Sequence, residues 1–284
     1  MSSPSSRSAR ATACRTRKSP SPTADKVELL RPAYPLAVFR VIEAASFVDP
    51  RRVPQMGDGL EVMAAITRAP SCRYAALVPN MRGYERARTA KADEIAIFAS
   101  ASEGFSRANI NCSIAESLER FRPVAEAASS DGVPMRGYVS CVASCPYDGP
   151  TPPASVAEVT EALLELGCYE VSLGDTTGHA KPEAIRAMLE AVLAVADVSK
   201  LAGHYHDTGG GALANVEASL ELGLRTFDAA VGGLGGCPYA PGAEGNVATE
   251  ALVDRLETLG FSTGIDRAQL ADTVQFARSL RERP

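Results

Sequence analysis

The chain has 284 residues, of which 45% are hydrophobic and 22% charged, a balance typical of a globular enzyme with one large domain or two small ones. Its net charge of -5 argues against a nucleic-acid partner, because phosphate backbones favour a basic surface. No apolar run in the sequence approaches the roughly 20 residues that a membrane-spanning helix needs, so no membrane partner is expected. Seven cysteines, an odd number, favour reduced thiols in the cytoplasm over a disulfide framework.

The N-terminal segment differs in composition from the rest of the chain. Residues 1–24 contain no Asp or Glu but include the basic residues Arg7, Arg10, Arg15, Arg17 and Lys18. An Arg-rich and Ser-rich segment of this kind is typical of a transit peptide, which would place the protein in mitochondria instead. Because the segment lacks the apolar alternation of a strand, we expect residues 1–18 to be disordered and residues 19–284 to form one domain.

From Phe39 onward, short apolar or β-branched runs alternate with longer amphipathic stretches. The amphipathic spacing predicts helices at Ile114–Ser129, Ser155–Leu166, Pro182–Val195 and Gly211–Leu222. The short runs predict strands at Phe39–Ala44, Tyr74–Val78, Glu94–Phe98, Arg136–Ser140, Glu170–Leu173, Leu201–His204 and Thr226–Ala229. This alternation predicts βαβ units and therefore a parallel sheet.

The fold class follows from what comes after each strand. Polar residues follow most of the predicted strands, as expected for a barrel whose active site lies at the C-terminal ends of its strands. An open doubly wound sheet is the alternative, but no G-x-G-x-x-G follows an early strand. We therefore predict an α/β fold, a (β/α)8 TIM barrel in which the first of the eight strands is replaced or disordered.

The strongest local signal for chemistry is the pair His204 and His206 at the end of a predicted strand. Side chains two residues apart on a strand point to the same side, so both imidazoles can face one site. Two imidazoles so placed are plausible ligands for a divalent metal. A hydrogen-bonded structural pair of histidines is the alternative, and the spacing alone leaves both interpretations open.

A glycine-rich segment, residues 232–246, contains Cys237 and Asn246. Glycines allow close approach to a ligand, although most such loops are ordinary turns. A cysteine on a mobile loop can act as an acid or base, whereas most cysteines are small buried hydrophobes. Asn246 offers a neutral oxygen ligand suited to Mg²⁺ or Mn²⁺.

Two carboxylates also stand near predicted strand ends. Asp175 follows one strand, and Glu43 lies at the end of the first predicted strand with Ser46 three residues later. Each carboxylate alone would more often be a surface or capping group. Their convergence with His204 and His206 at one end of a barrel favours a catalytic site.

The motifs RGYVSCVASC (Arg136–Cys145), GCYEVSLGDT (Gly167–Thr176) and GLGGCPYA followed by GNVATE resemble those of the 3-hydroxy-3-methylglutaryl-CoA lyases. The resemblance runs from about residue 21 to about residue 264, and the last motif separates these lyases from isopropylmalate and homocitrate synthases. It implies cleavage of 3-hydroxy-3-methylglutaryl-CoA to acetyl-CoA and acetoacetate, with an acyl-CoA substrate and a homodimer. It also implies His204, His206 and Asn246 as metal ligands and Cys237, His204, Asp175 and Glu43 as catalytic residues.

The resemblance fails at the start of the chain. The family's first strand and loop read roughly Glu-Val-Gly-Pro-Arg-Asp-Gly-Leu-Gln-Asn-Glu-Lys, where the Asp is a metal ligand and the Arg stabilises the enolate oxygen. Back-translation of Arg10–Arg17 with permitted codons, read two bases later, gives Arg-Asp-Gly-Leu-Gln-Asn-Glu. We therefore expect a shifted reading frame here and an impaired enzyme. A related acyl-CoA lyase, a Claisen-type synthase and a non-catalytic barrel remain alternatives.

Overall fold

The computed structural model describes residues 9–12, 21–31, 39–235, 239–240 and 242–282, with the backbone alone at 9–12 and 281–282. Eight parallel strands close into a barrel in the order β1-β10-β9-β8-β5-β4-β3-β2. The barrel strands are β1 (Ala9–Thr12), β2 (Val41–Ser46), β3 (Arg73–Leu77), β4 (Glu94–Ser100), β5 (Met135–Ser140), β8 (Val171–Asp175), β9 (Leu201–Tyr205) and β10 (Phe227–Ala229). A small antiparallel hairpin, β6 (Ser144–Cys145) with β7 (Gly149–Pro150), follows β5. The predicted (β/α)8 barrel is confirmed.

The first strand corrects one prediction. Strand β1 pairs in parallel with β10, where Ala9 lies opposite Phe227, and with β2, where Thr12 lies opposite Glu43. The expectation that this segment supplies no strand was therefore wrong for Ala9–Thr12, and the rest of residues 1–18 lies outside the described residues. Ladder hydrogen bonds are made by the backbone, so two flanking strands can pair a segment whose side chains do not alternate.

Helices cover the outside of the barrel. They are α1 (Thr23–Leu29), α2 (Gly59–Ala65), α3 (Met81–Thr89), α4 (Glu103–Ile110), α5 (Ile114–Ser130), α6 (Pro153–Glu165), α7 (Pro182–Leu193), α8 (Ala212–Glu221), α9 (Thr249–Thr258) and α10 (Arg267–Glu282). A capping box of Ser113 and Glu116 begins α5, and Pro182 occupies the first turn of α7, so both helices begin where their predicted ranges start. In the part of the chain that is described, no helix is long and apolar enough to cross a membrane.

Strand alternation decides which side chains fill the barrel. Arg136, Tyr138 and Ser140 of β5 occupy alternate positions, and all three have their polar groups in the barrel interior or its cavity. The intervening Gly137 faces outward, where an added Cβ would lie 3.1 Å from the Leu163 side chain of α6. The polar interior and the apolar layer under the helices thus come from one alternating pattern.

Candidate active site

A cavity opens at the C-terminal end of the barrel strands. Its wall includes apolar side chains that follow the barrel strands, among them Val53, Met56 and, from α4, Phe105. The polar part of the wall comes from strands, the loops after them and helix α4: Glu43, Ser46, Asn109, Tyr138, Ser140, Thr176, His204, His206 and Asn246. A mostly apolar cleft with a few convergent polar groups is the usual form of a small-molecule site.

The three predicted metal ligands line this one cavity. His204 lies on β9 and His206 one residue beyond its end, with their ring centroids 5.5 Å apart. The backbones of His206 and Asn246 pair as an isolated antiparallel bridge, which places the end of the glycine-rich segment beside β9. His206 and Asn246 are both at least 95% buried. The structure therefore brings together residues separated by about 40 positions in sequence.

These three donors fit a site that binds a divalent cation with modest affinity. Two imidazole nitrogens and one amide oxygen are neutral ligands, and Mg²⁺ or Mn²⁺ commonly completes its shell with water and substrate oxygens. Across the described ranges, no group of three or more His, Cys, Asp or Glu side chains could hold a metal. The amide oxygen of Asn246 is the third predicted ligand of this candidate centre, and it lines the same cavity.

Glu43 is placed where the sequence predicts. It lines the cavity, is 8% exposed, and its Oε2 accepts a hydrogen bond of 3.2 Å from the Tyr138 hydroxyl. An irregularity in the β2–β3 register between Glu43 and Ala45 shifts the alternation, so that Ser46 as well as Glu43 reaches the cavity. The Ser46 hydroxyl has no hydrogen-bond partner within the described part of the chain.

Asp175 is placed differently from the prediction. It is fully buried and is not part of the cavity wall, because it lies one position beyond the inward-facing Gly174 on β8. Its carboxylate accepts hydrogen bonds from the Thr177 hydroxyl and from the backbone N–H groups of Gly178 and Ala180. Burial raises the pKa of Asp175, and these hydrogen bonds oppose the rise. Asp175 thus organises the loop after β8, behind the cavity wall.

Cys237 lies outside the described residues. Tyr239, two positions later in the sequence, lines the cavity. The Tyr147 hydroxyl, from the turn between β6 and β7, donates a hydrogen bond of 2.9 Å to the Tyr239 carbonyl. This contact ties the glycine-rich segment to the hairpin beside the cavity mouth.

Sequence reasoning missed a charged cluster that lies inside the barrel below the cavity. Arg136 is fully buried and donates to both carboxylate oxygens of Asp228, at 2.9 and 3.0 Å, and to Glu170 at 2.8 Å. Burial alone would raise the pKa of Asp228, but the Arg136 charge and the His204 hydrogen bond hold that pKa well below its usual range. Period-2 alternation around Arg136 and Asp228 was the available signal, since both stand at inward positions of strands.

Comparisons with known proteins place this chain among proteins of one family. A protein-family model described as HMGL-like matches residues 20–277. The hydroxymethylglutaryl-CoA lyase of Pseudomonas mevalonii is 53% identical over 82% of this chain and 77% of that protein. The mitochondrial enzyme of Arabidopsis thaliana is 49% identical over 93% of this chain, which spans 56% of that relative's length. Names of the relatives include both mitochondrial and cytoplasmic forms.

Solved structures give the same result. The HMG-CoA lyase from Brucella melitensis matches with a TM-score of 0.93 and 56% identity, covering 98% of this chain and all of that one. An HMG-CoA lyase from "Acenitobacter baumannii", solved in complex with coenzyme A and 3-methylmalate, matches with a TM-score of 0.93 and 35% identity over 99% of this chain and 93% of that one.

Proposed function

The chain belongs to the HMGL-like family, and from that premise we propose that it cleaves 3-hydroxy-3-methylglutaryl-CoA to acetyl-CoA and acetoacetate. The observation that carries the proposal is the cavity in which His204, His206, Asn246 and Glu43 converge at the barrel mouth. Breaking this carbon–carbon bond requires removal of a proton from a tertiary hydroxyl and stabilisation of an enolate. The convergent site contains groups suited to both tasks.

The family depends on a divalent cation, and His204, His206 and Asn246 would hold it here. Bound Mg²⁺ or Mn²⁺ would polarise the hydroxyl and carboxylate oxygens of the substrate. The protein supplies a rigid frame for these ligands, because β9 and the backbone bridge between His206 and Asn246 fix their positions.

Glu43 is the carboxylate best placed to accept the hydroxyl proton, since it lies in the cavity wall. The Tyr138 hydroxyl that donates to Glu43 Oε2 orients that carboxylate. We assign return of a proton to the enolate to Cys237 on the glycine-rich segment, whose residue Tyr239 lines the cavity. The hydrogen bond between Tyr147 and Tyr239 would hold Tyr239 at the cavity and so help to exclude water.

An acyl-CoA is the proposed substrate class, supported by the coenzyme A complex of the Acinetobacter relative. A homodimer is also proposed from the resemblance. We further propose that the protein works in the cytoplasm, with the mitochondrial matrix as the alternative. The five cysteines within the described ranges are free and buried, which suits the reducing environment of either compartment.

The test is an assay of acetoacetate and acetyl-CoA release from 3-hydroxy-3-methylglutaryl-CoA with Mg²⁺ or Mn²⁺. His206→Ala removes a ligand and should abolish measurable turnover. Tyr205→Phe is a matched control, because this neighbour points away from the cavity and bonds Ser219 on α8 at 2.7 Å. Turnover of wild type and control, with loss in His206→Ala, supports the proposal.

Two other results would replace this proposal. Consumption of acetyl-CoA with a 2-oxo acid, without cleavage of 3-hydroxy-3-methylglutaryl-CoA, would identify a Claisen-type synthase. Absence of both reactions in a folded, metal-supplied protein would identify a non-catalytic barrel.

A further inference from the structure

Asp228 lies in the barrel interior beneath the proposed metal ligands. It is the middle residue of β10, and its side chain is 1% exposed. The Oδ2 atom contacts Arg136 Nη1 at 2.9 Å, Ser172 Oγ at 2.8 Å and His204 Nδ1 at 3.0 Å. Oδ1 contacts Arg136 Nη2 at 3.0 Å.

These contacts make Asp228 an acceptor at both oxygens. The guanidinium of Arg136 only donates, and it occupies both carboxylate oxygens in a two-point contact. Arg136 itself is fixed by a second carboxylate, Glu170, and is fully buried. Asp228 therefore presents a carboxylate oxygen to His204, and the imidazole must donate to it.

We propose that Asp228 is a positioning residue that holds His204 as the Nδ1–H tautomer and thereby presents Nε2 to the cavity as a metal ligand. The distance of 3.0 Å between Asp228 Oδ2 and His204 Nδ1 fixes the ring orientation as well as the proton. A carboxylate behind an imidazole ligand both selects its tautomer and raises its basicity. The ligand part of this inference rests on the proposed metal-dependent function.

One consequence concerns proton transfer. A His204 that donates through Nδ1 and binds metal through Nε2 has no nitrogen left for exchange with substrate. His204 then holds its place during the reaction, and proton return falls to another group.

The direct test is nitrogen-15 NMR of histidine-labelled, metal-free protein. The chain has only three histidines, His179, His204 and His206, so loss of signals in His179→Gln and His204→Gln assigns each ring. We expect wild-type His204 to carry its proton on Nδ1 with Nε2 unprotonated. A wild-type spectrum with the His204 proton on Nε2 would overturn the proposal without any variant.

The variant test keeps the buried charges balanced. The double variant Arg136→Met with Asp228→Leu removes one positive and one negative group, because truncating Asp228 alone would leave Arg136 buried without this partner. We expect His204 to lose its single tautomer and Mn²⁺ affinity, measured by electron paramagnetic resonance, to fall about 10- to 100-fold. Glu170→Gln is the matched control, since it perturbs Arg136 but leaves the contacts of Asp228, and it should keep the wild-type tautomer.

The outcomes separate this inference from the proposed function. Mn²⁺ affinity within twofold of wild type in the double variant, or no Mn²⁺ binding by wild type, would overturn the presentation of Nε2 as a ligand. If that double variant does not fold, the wild-type spectrum and wild-type Mn²⁺ binding still decide the question. An Nδ1–H tautomer with Mn²⁺ binding, but no lyase activity, would sustain the inference while the proposed function fails.

Discussion

Glu43 lines the cavity whereas Asp175 lies behind its wall, although both carboxylates stand near the ends of parallel strands. The alternation of side chains along a strand separates them. Gly174 takes the inward position of β8, so Asp175, the next residue, faces away from the cavity. The same alternation places His204 in the site and turns Tyr205 towards α8. A carboxylate near a strand end thus becomes a candidate for chemistry only when its position is inward.

We expect Glu43→Gln and Asp175→Asn to fail in different ways. Glu43→Gln keeps the shape of the side chain but cannot accept the hydroxyl proton, so kcat should fall about 10²- to 10⁴-fold at nearly unchanged stability. Asp175→Asn should mainly reduce stability, by about 1–3 kcal/mol, since one amide oxygen cannot satisfy the donors that meet both carboxylate oxygens. Steady-state kinetics and urea unfolding of both variants check this. Equal kcat losses in the two variants would contradict it.

Two buried thiols should be inert in the native state. Burial raises the pKa of Cys72 and of Cys168 to about 12, so roughly one thiol in 10⁴ is ionised at pH 8. The folded-state pKa of each thiol is raised above its unfolded value of about 8.5. The neutral thiols therefore contribute their full stability below a pH of about 8.5, and this contribution is lost as the pH rises through 12. Iodoacetamide at pH 8 followed by peptide mass mapping should modify neither cysteine until the protein is unfolded. Rapid native-state labelling of Cys168 would count against its burial.

At the scale of elements, α4 connects the hairpin to the cavity. The Asp148 carboxylate accepts hydrogen bonds of 2.7 Å from the Ser102 hydroxyl and the Gly104 N–H at the start of α4. Phe105 and Asn109 of the same helix line the cavity. The position of this cavity wall therefore depends on a side chain from the turn between β6 and β7.

Asp148→Ala should loosen α4 and raise KM several-fold, with a loss of about 1 kcal/mol in stability, typical of a lost helix cap. Ser113→Ala is the matched control. It removes the cap of α5, a helix with no residue in the cavity wall, at similar cost. Unfolding free energies should therefore fall by similar amounts in the two variants, whereas KM should rise only in Asp148→Ala. A rise in KM of the same size in both would contradict the assigned role of α4.

The sequence predicted elements better than it predicted their pairing. Helices with a clear start signal, such as α5 after Ser113 and α7 after Lys181, lie where their patterns indicate. The shorter helices α2, α3 and α4 were not predicted, because fewer than ten residues carry too little periodicity. The Arg136–Asp228 pair joins positions 92 residues apart, and local pattern contains no information on such a contact.

At the scale of the whole molecule, barrel closure depends on β1. Ala9–Ala11 pair with β10, and Ala11 and Thr12 pair with β2, so this short strand joins the two strands on either side of it. Thr12 lies opposite Glu43, so the C-terminal end of β1 stands beside the cavity. The match to the family model begins only at residue 20, after this strand. The backbone of β1 completes the fold, while its sequence lies outside the range matched by the family model.

We expect restoration of the reading frame over Arg10–Arg17 to raise activity strongly. The restored segment would read Arg-Asp-Gly-Leu-Gln-Asn-Glu and bring a carboxylate ligand and a cation to the strand beside Glu43. Three of the four expected ligands, His204, His206 and Asn246, already line the cavity. A preorganised group at a developing oxyanion is worth about 10²- to 10³-fold in turnover, so restoration should increase kcat by at least this factor.

Both chains should be expressed side by side and assayed for acetoacetate release with Mn²⁺. His206→Ala in the restored chain is the control, and it should return turnover to background if the gain acts through the metal site. Mn²⁺ affinity should also rise with the added carboxylate, because a charged oxygen ligand strengthens a site built from neutral donors. Comparable kcat and Mn²⁺ affinity in the two chains would show that the existing β1 is sufficient and that the proposed frame change has no functional consequence.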